Sequence, residues 1–168
     1  EDLVISESLT GLQLVGVGSG STTIKGVAMV DSILFPLTDP NIEVLADDVI
    51  ITGFTIQGPD PAVGYYSSGM VIGGSGLEMY FNAFEVPNAG GPADISQGIQ
   101  TYTADNNPTA GGEVDGLDIH DNAFTDLGAG TYGFEGIYIN PDKGDPKPGG
   151  AVTIASNTSF FNLNTAYM

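Results

Sequence analysis

The feature that most limits what this chain can become is an eight-residue pattern recurring at uneven intervals: apolar, any, apolar, two spacers, a special residue, one spacer, apolar. It reads Val49-Ile50-Ile51-Thr52-Gly53-Phe54-Thr55-Ile56 in its first copy and Leu77-Glu78-Met79-Tyr80-Phe81-Asn82-Ala83-Phe84 in its second. The third is Leu117-Asp118-Ile119-His120-Asp121-Asn122-Ala123-Phe124. The fourth, Val152-Thr153-Ile154-Ala155-Ser156-Asn157-Thr158-Ser159-Phe160, carries one extra residue before its aromatic. A shorter pattern precedes each copy: Ile42-Glu43-Val44, Gly69-Met70-Val71-Ile72, Gly98-Ile99-Gln100-Thr101 and Gly136-Ile137-Tyr138-Ile139. The alternation inside each copy has period two, which is the mark of a strand.

Successive long copies begin 28, 40 and 35 residues apart. A conserved core pattern at irregular spacing is what loop insertions on a solenoid produce. The surplus length falls in stretches rich in Gly, Pro, Asn and Asp at 86–94, 104–112 and 140–150, which are turn-forming compositions. With 25 Gly and 10 Pro, a helical bundle is a poor alternative, because both residues weaken helix interiors. The expected fold is therefore all-β, a single right-handed parallel β-helix over residues 1–168, with about five irregular coils. Leu3-Val4-Ile5, Leu12-Gln13-Leu14-Val15 and Thr22-Thr23-Ile24-Lys25-Gly26 read as one further coil at the start.

Stacking the copies aligns Asn82, Asn122 and Asn157 at one turn. An amide carries both donors and an acceptor, so aligned asparagines can satisfy one another as an internal ladder. A lone buried amide would instead cost about 1–3 kcal/mol, so such a column makes sense only if the coils stack.

Several stretches resemble the pectate-lyase-like parallel β-helix repeat proteins. They are Ser8-Leu9-Thr10, Gly18-Ser19-Gly20-Ser21-Thr22-Thr23-Ile24, Ala46-Asp47-Asp48 with the strand that follows, and the Asn-x-Phe turns. The resemblance spans nearly the whole chain and speaks for fold alone, since that family includes lyases, hydrolases, epimerases, adhesins and fibres. It implies, for the lyases, a basic residue that abstracts a proton beside calcium-holding acids. Here there is no arginine, Lys25 lies in the first coil, and Lys143 and Lys147 lie in the 140–150 stretch, so that base has no obvious counterpart. The clustered aspartates, histidine and basic pair of the polygalacturonase-like hydrolases are also missing, and Asp47-Asp48 lacks those companions.

Charge narrows the partners. Twenty-one acidic residues against three lysines give a net charge of -18, which repels phosphate backbones and anionic lipid, so neither nucleic acid nor a membrane surface is an expected partner. No run approaches the length of a membrane-spanning helix, and no cysteine offers a disulfide, a thiolate ligand or a nucleophile. The start at Glu1 shows no signal peptide, so the chain reads as mature material or as a cytosolic protein, and the solenoid pattern favours an exported one at the cell surface or beyond.

Where chemistry would sit is the outward face of the long copies. Glu78 and Asp118 occupy equivalent positions, as do Tyr80 and His120. On adjacent coils equivalent residues lie about 4.8 Å apart. Two carboxylates that close would take a hard cation such as calcium, or share a proton, with His120 as a base or ligand. Tyr80 and Tyr138 are candidates for contact with a sugar ring. Outward positions of a solvated solenoid are polar in any case, and that plainer reading stands beside the catalytic one. The acidic loops offer oxygen ligands at Asp105, Glu113 and Asp115, and at Asp142 and Asp145, but without EF-hand spacing.

Two functions follow as expectations. The first is a non-catalytic extracellular structural or adhesive solenoid, requiring no cofactor, that associates with copies of itself end to end, since strand-like segments at both ends lack a capping helix. The second is a polysaccharide-binding or polysaccharide-processing module, a lyase or glycoside hydrolase. A piece of a larger enzyme, with the catalytic coils elsewhere, is a third.

Overall fold

The computed structural model describes residues 3–26, 38–58, 66–86, 96–101, 116–126, 134–138, 152–160 and 163–167. Among them the chain is almost entirely extended, with a single 3-10 turn at Glu7–Leu9. Its strands come in triplets. β1 (Leu3–Ile5), β2 (Gln13–Val15) and β3 (Thr23–Lys25) form the first, followed by β4 (Thr38–Val44), β5 (Ile50–Thr52) and β6 (Thr55–Gln57). Next come β7 (Tyr66–Ile72), β8 (Glu78–Tyr80) and β9 (Ala83–Val86), then β10 (Ser96–Thr101), β11 (Leu117–His120) and β12 (Ala123–Asp126). β13 (Phe134–Tyr138), β14 (Val152–Ala155) and β15 (Thr158–Phe160) follow, and β16 (Leu163–Tyr167) opens another turn.

Every third strand joins the same sheet, and every pairing is parallel. The first sheet runs β1-β4-β7-β10-β13-β16, the second β2-β5-β8-β11-β14, the third β3-β6-β9-β12-β15. Three parallel sheets of strands stacked in chain order are the arrangement of a β-solenoid.

The registers reproduce the sequence repeats residue for residue. In the second sheet Leu14, Ile51, Met79, Ile119 and Ile154 form one column, and in the first Ile42, Met70, Ile99 and Ile137 form another. Ile51, Met79, Ile119, Ile42, Met70, Ile99 and Ile137 are all fully buried. Truncating any of them to Ala removes apolar contact that the rungs above and below cannot refill, at a cost of about 2–5 kcal/mol. In the third sheet the Phe84 and Phe124 rings stack with centroids 5.0 Å apart and planes 8° from parallel.

The corner between the second and third sheets is the tightest. Two residues separate β5 from β6, β8 from β9, β11 from β12 and β14 from β15. The first of each pair is left-handed: Gly53 (φ 79°), Phe81 (56°), Asp121 (53°) and Ser156 (54°). That single conformation turns the chain from one sheet to the next. Glycine takes it freely and Asp tolerably, whereas a residue such as Phe is held there at a cost of about 1–2 kcal/mol.

The second residue of the corner is Phe54, Asn82, Asn122 or Asn157. Asn122 Oδ1 accepts from the Asn82 backbone N–H (3.0 Å) and from Asn82 Nδ2 (3.2 Å), and Asn157 Oδ1 accepts likewise from Asn122 (2.9 and 3.1 Å). The amides also donate across the rungs: Asn82 Nδ2 to Ile51 O, Asn122 Nδ2 to Met79 O and Asn157 Nδ2 to Ile119 O. The ladder begins where Phe54 N–H donates to Asn82 Oδ1 (3.1 Å).

Two details depart from the period-two reading. The fourth long copy contains no insertion in register: Ser159 pairs with Phe124, and Phe160 pairs with Thr125. The first sheet is buried on both faces over β4, β7 and β10, since Glu43, Val71 and Gln100, one column beside the inward isoleucines, are each at most 3% exposed. Gly98, inside β10, has a packing reason as well. A Cβ on Gly98 would collide with the Gly136 carbonyl and the Phe124 ring.

Candidate functional site

The outward face of the second sheet gathers the residues singled out above. Parallel pairing of β8 with β11 sets Asp118 beside Glu78 and His120 beside Tyr80. The Tyr80 and His120 rings lie flat on each other, centroids 5.2 Å apart and planes 4° from parallel. His120 Nδ1 sits 2.9 Å from Asp121 Oδ2 and Nε2 sits 3.8 Å from Glu78 Oε1. Both ring nitrogens therefore face carboxylates.

This arrangement raises the His120 pKa above its usual 6.5. The hydrogen bond that His120 donates to Asp121 is the largest cause; partial burial opposes it, and the charges of Asp118 and Asp121 and the contact with Glu78 add to it. Carboxylates at both ring nitrogens favour the protonated ring relative to a free imidazole. The ring also links the two rungs, stacking on Tyr80 of β8 and facing Glu78 of the same strand.

Two members of this patch had no counterpart among the sequence candidates. Asp121 is one; it follows His120 directly, and only the left-handed corner swings its carboxylate back onto the ring. Phe81 is the other. It is 59% exposed, left-handed, and edge-on to Tyr80 with centroids 5.4 Å apart and planes 80° apart. Its signal in the sequence was a bulky aromatic where the other copies have Gly53, Asp121 and Ser156.

Tyr138 is placed elsewhere. It lies on β13 of the first sheet, in register with Gln100, so it does not share a face with Tyr80. Asp47 and Asp48 occupy the turn before β5. There Asp47 Oδ1 accepts from Ser75 N–H (2.8 Å) and the left-handed Asp48 donates its N–H to Ser75 O (2.8 Å), so the pair joins two successive turns. Asp105, Glu113, Asp115, Asp142 and Asp145 lie outside the described residues. Among the described residues no group of three or more His, Cys, Asp or Glu is placed to hold a metal ion.

The ends of the stack form the other distinctive surface. Among the described residues β1, β2 and β3 each pair on one side only, as do β16, β14 and β15. At these ends the inward side chains are partly open: Leu3, Leu12, Leu14 and Ile24 at one, Val152 and Ile154 at the other. Val4, Leu9, Val15 and Val17, four apolar residues of the first rung, are exposed.

In comparison with known proteins the chain matches no protein-family model, no curated protein and no solved structure.

Proposed function

We propose that this chain is a non-catalytic structural or adhesive solenoid, acting outside the cell or on its surface, that associates with copies of itself through its ends. In this reading it is a right-handed parallel β-helix of about five coils, akin to the pectate-lyase-like proteins in fold and without their catalysis. Right-handedness rests on the geometry of parallel crossovers, about 98% of which take that hand. The observation that supports the proposal is the pair of sheet edges at which, among the described residues, three aligned strands each have a neighbour on one side only, beside partly buried apolar side chains. Such edges are templates for another chain. Negative-stain microscopy of the purified protein tests it: rods are expected, and compact single particles at every concentration would overturn it.

A second reading is favoured by one observation, the solvent-facing Phe81 beside Tyr80, Glu78 and Asp118. It makes the outer face of the second sheet a polysaccharide contact, with calcium as the cation for the acidic loops. Reducing-sugar and unsaturated-product assays on pectins, alginates and other uronate polymers, with and without calcium, test it. Activity abolished by Glu78→Ala and Asp118→Ala would establish that reading over the first.

A further inference from the structure

We propose that the outer face of β8 and β11 docks a polysaccharide of amino sugars, whose protonated amines meet Glu78 and Asp118 and whose ring faces lie on Phe81. This rests on the polysaccharide reading of that face and specifies the class of sugar.

Phe81 is the residue that neither folding preference nor burial explains. The same left-handed corner is filled in other rungs by Gly53, Asp121 and Ser156, which are small or polar. Phe81 holds a φ of 56° there and still leaves 59% of its surface in water. Glycine would take that conformation freely, so the ring is retained against the backbone's own preference. Its neighbour Tyr80 meets it edge-on and lies flat against His120, so the exposed ring rests on a braced support. A ligand that covers Phe81 gives the ring the contact that the fold leaves open.

Charge selects the occupant. Glu78 and Asp118 stand opposite each other in register, about 4.8 Å apart at the backbone, and Asp121 takes the corner position one rung on from Phe81. Among the described residues of this face the one basic side chain is His120, and the clamp of Asp121 and Glu78 on its two nitrogens already engages it. The side chains of Glu78 and Asp121 remain 42% and 43% exposed, so the face presents a surplus of negative charge to solvent. The chain as a whole, at -18, has the same sign. A uronate polymer, or a second copy of this chain, would set carboxylate against carboxylate here. A polymer of amino sugars brings the opposite charge and an apolar ring face in one repeating unit. Its ammonium groups complement the acids and are drawn to the Phe81 ring as well. A lysine-rich peptide supplies the charge without a rigid ring to lie on Phe81, and that difference separates the two.

Isothermal titration calorimetry with a short glucosamine oligomer tests this, at a pH where its amines are protonated. Salt of about 0.15 M limits general attraction to the acidic chain to about 8 Å. The N-acetylated oligomer of the same length, which has no charge, should bind at least about tenfold more weakly. Phe81→Gly and Glu78→Gln should each weaken glucosamine binding by about tenfold. Phe81→Gly installs the residue that already serves at position 53, so it should melt no lower than wild type. Glu7→Gln, at an exposed acid on the 3-10 turn of the first rung, should leave the affinity within about twofold. His120, the chain's one histidine, should shift its NMR resonances as the oligomer saturates the face. Equal affinity for the N-acetylated oligomer would overturn the amino-sugar assignment and leave the polysaccharide reading standing. So would binding of polygalacturonate with calcium, lost in Phe81→Gly, by a protein that takes up no glucosamine oligomer. Glucosamine affinity unchanged in Phe81→Gly, or matched by a lysine oligomer of equal charge, would overturn the docking face and reduce the interaction to general attraction. A protein that binds none of the three sugars would remove both this inference and the polysaccharide reading beneath it.

Discussion

Asn122→Ala is the sharpest test of the ladder, because Asn122 is its fully enclosed rung. Its Oδ1 accepts from Asn82 N–H and Asn82 Nδ2, and its Nδ2 donates to Met79 O and His120 O at 2.9 Å and to Asn157 Oδ1 at 3.1 Å. Truncation leaves the Asn82 N–H without its ladder acceptor in a site only 2% exposed, a penalty of about 1–3 kcal/mol. The amide bonds lost besides are worth about 0.5–1.5 kcal/mol net apiece, so roughly 4 kcal/mol is expected in all. For a domain of this size that lowers the melting temperature by about 8–16 °C. Asn157→Ala removes a similar set of bonds at the half-open end of the column, where water can take their place, and should cost about 1 kcal/mol. Urea unfolding followed by far-UV circular dichroism measures both, and an unchanged urea slope would show that the same surface is exposed in each. Equal losses in the two variants, within about 0.5 kcal/mol, would refute the claim that the ladder draws its strength from burial.

Three further outcomes are expected. His120 is the chain's one histidine, so its NMR titration is free of overlap; Asp121→Asn should lower its pKa markedly and Glu78→Gln less, and an unmoved midpoint in Asp121→Asn would refute the clamp. Because the folded pKa is raised, the stability that this clamp contributes is fully present below the unfolded value near 6.5 and fades as pH rises through the folded one, so the unfolding curves of wild type and Asp121→Asn should draw together at alkaline pH. Gly98→Ala should destabilise by about 1–3 kcal/mol through its collision with the Gly136 carbonyl and the Phe124 ring, measured by the same urea unfolding, whereas Gly20→Ala, whose Cβ meets nothing within 4 Å, pays only for its positive φ, about 1 kcal/mol.

Much of the architecture was legible because a solenoid writes each rung into the sequence locally. The 28-, 40- and 35-residue intervals are the same offsets that pair Ile51 with Met79, Met79 with Ile119 and Ile119 with Ile154. The alignment of Glu78 with Asp118 and of Tyr80 with His120 could be read for the same reason. What could not be read depends on backbone conformation or on what covers a face. Asp121 meets His120 only through a positive φ that an Asp residue does not announce. The burial of Glu43 and Gln100 is invisible to a rule that assigns polar alternates to solvent, although Val4 and Val71 in their column were apolar hints. In the fourth copy, matching aromatic to aromatic suggested an insertion, whereas the hydrogen-bonded corner holds the register and puts Ser159 opposite Phe124.

The two-residue corner between the second and third sheets has a consequence for how such a chain can change over time. Because that corner is constant from β5 onward while the other connections differ in length, growth is channelled to particular sides of the molecule. Sequence added between β10 and β11, or between β13 and β14, changes neither the number of rungs nor which residues stack. A peptide inserted into either connection therefore enters the chain at one fixed level of the stack.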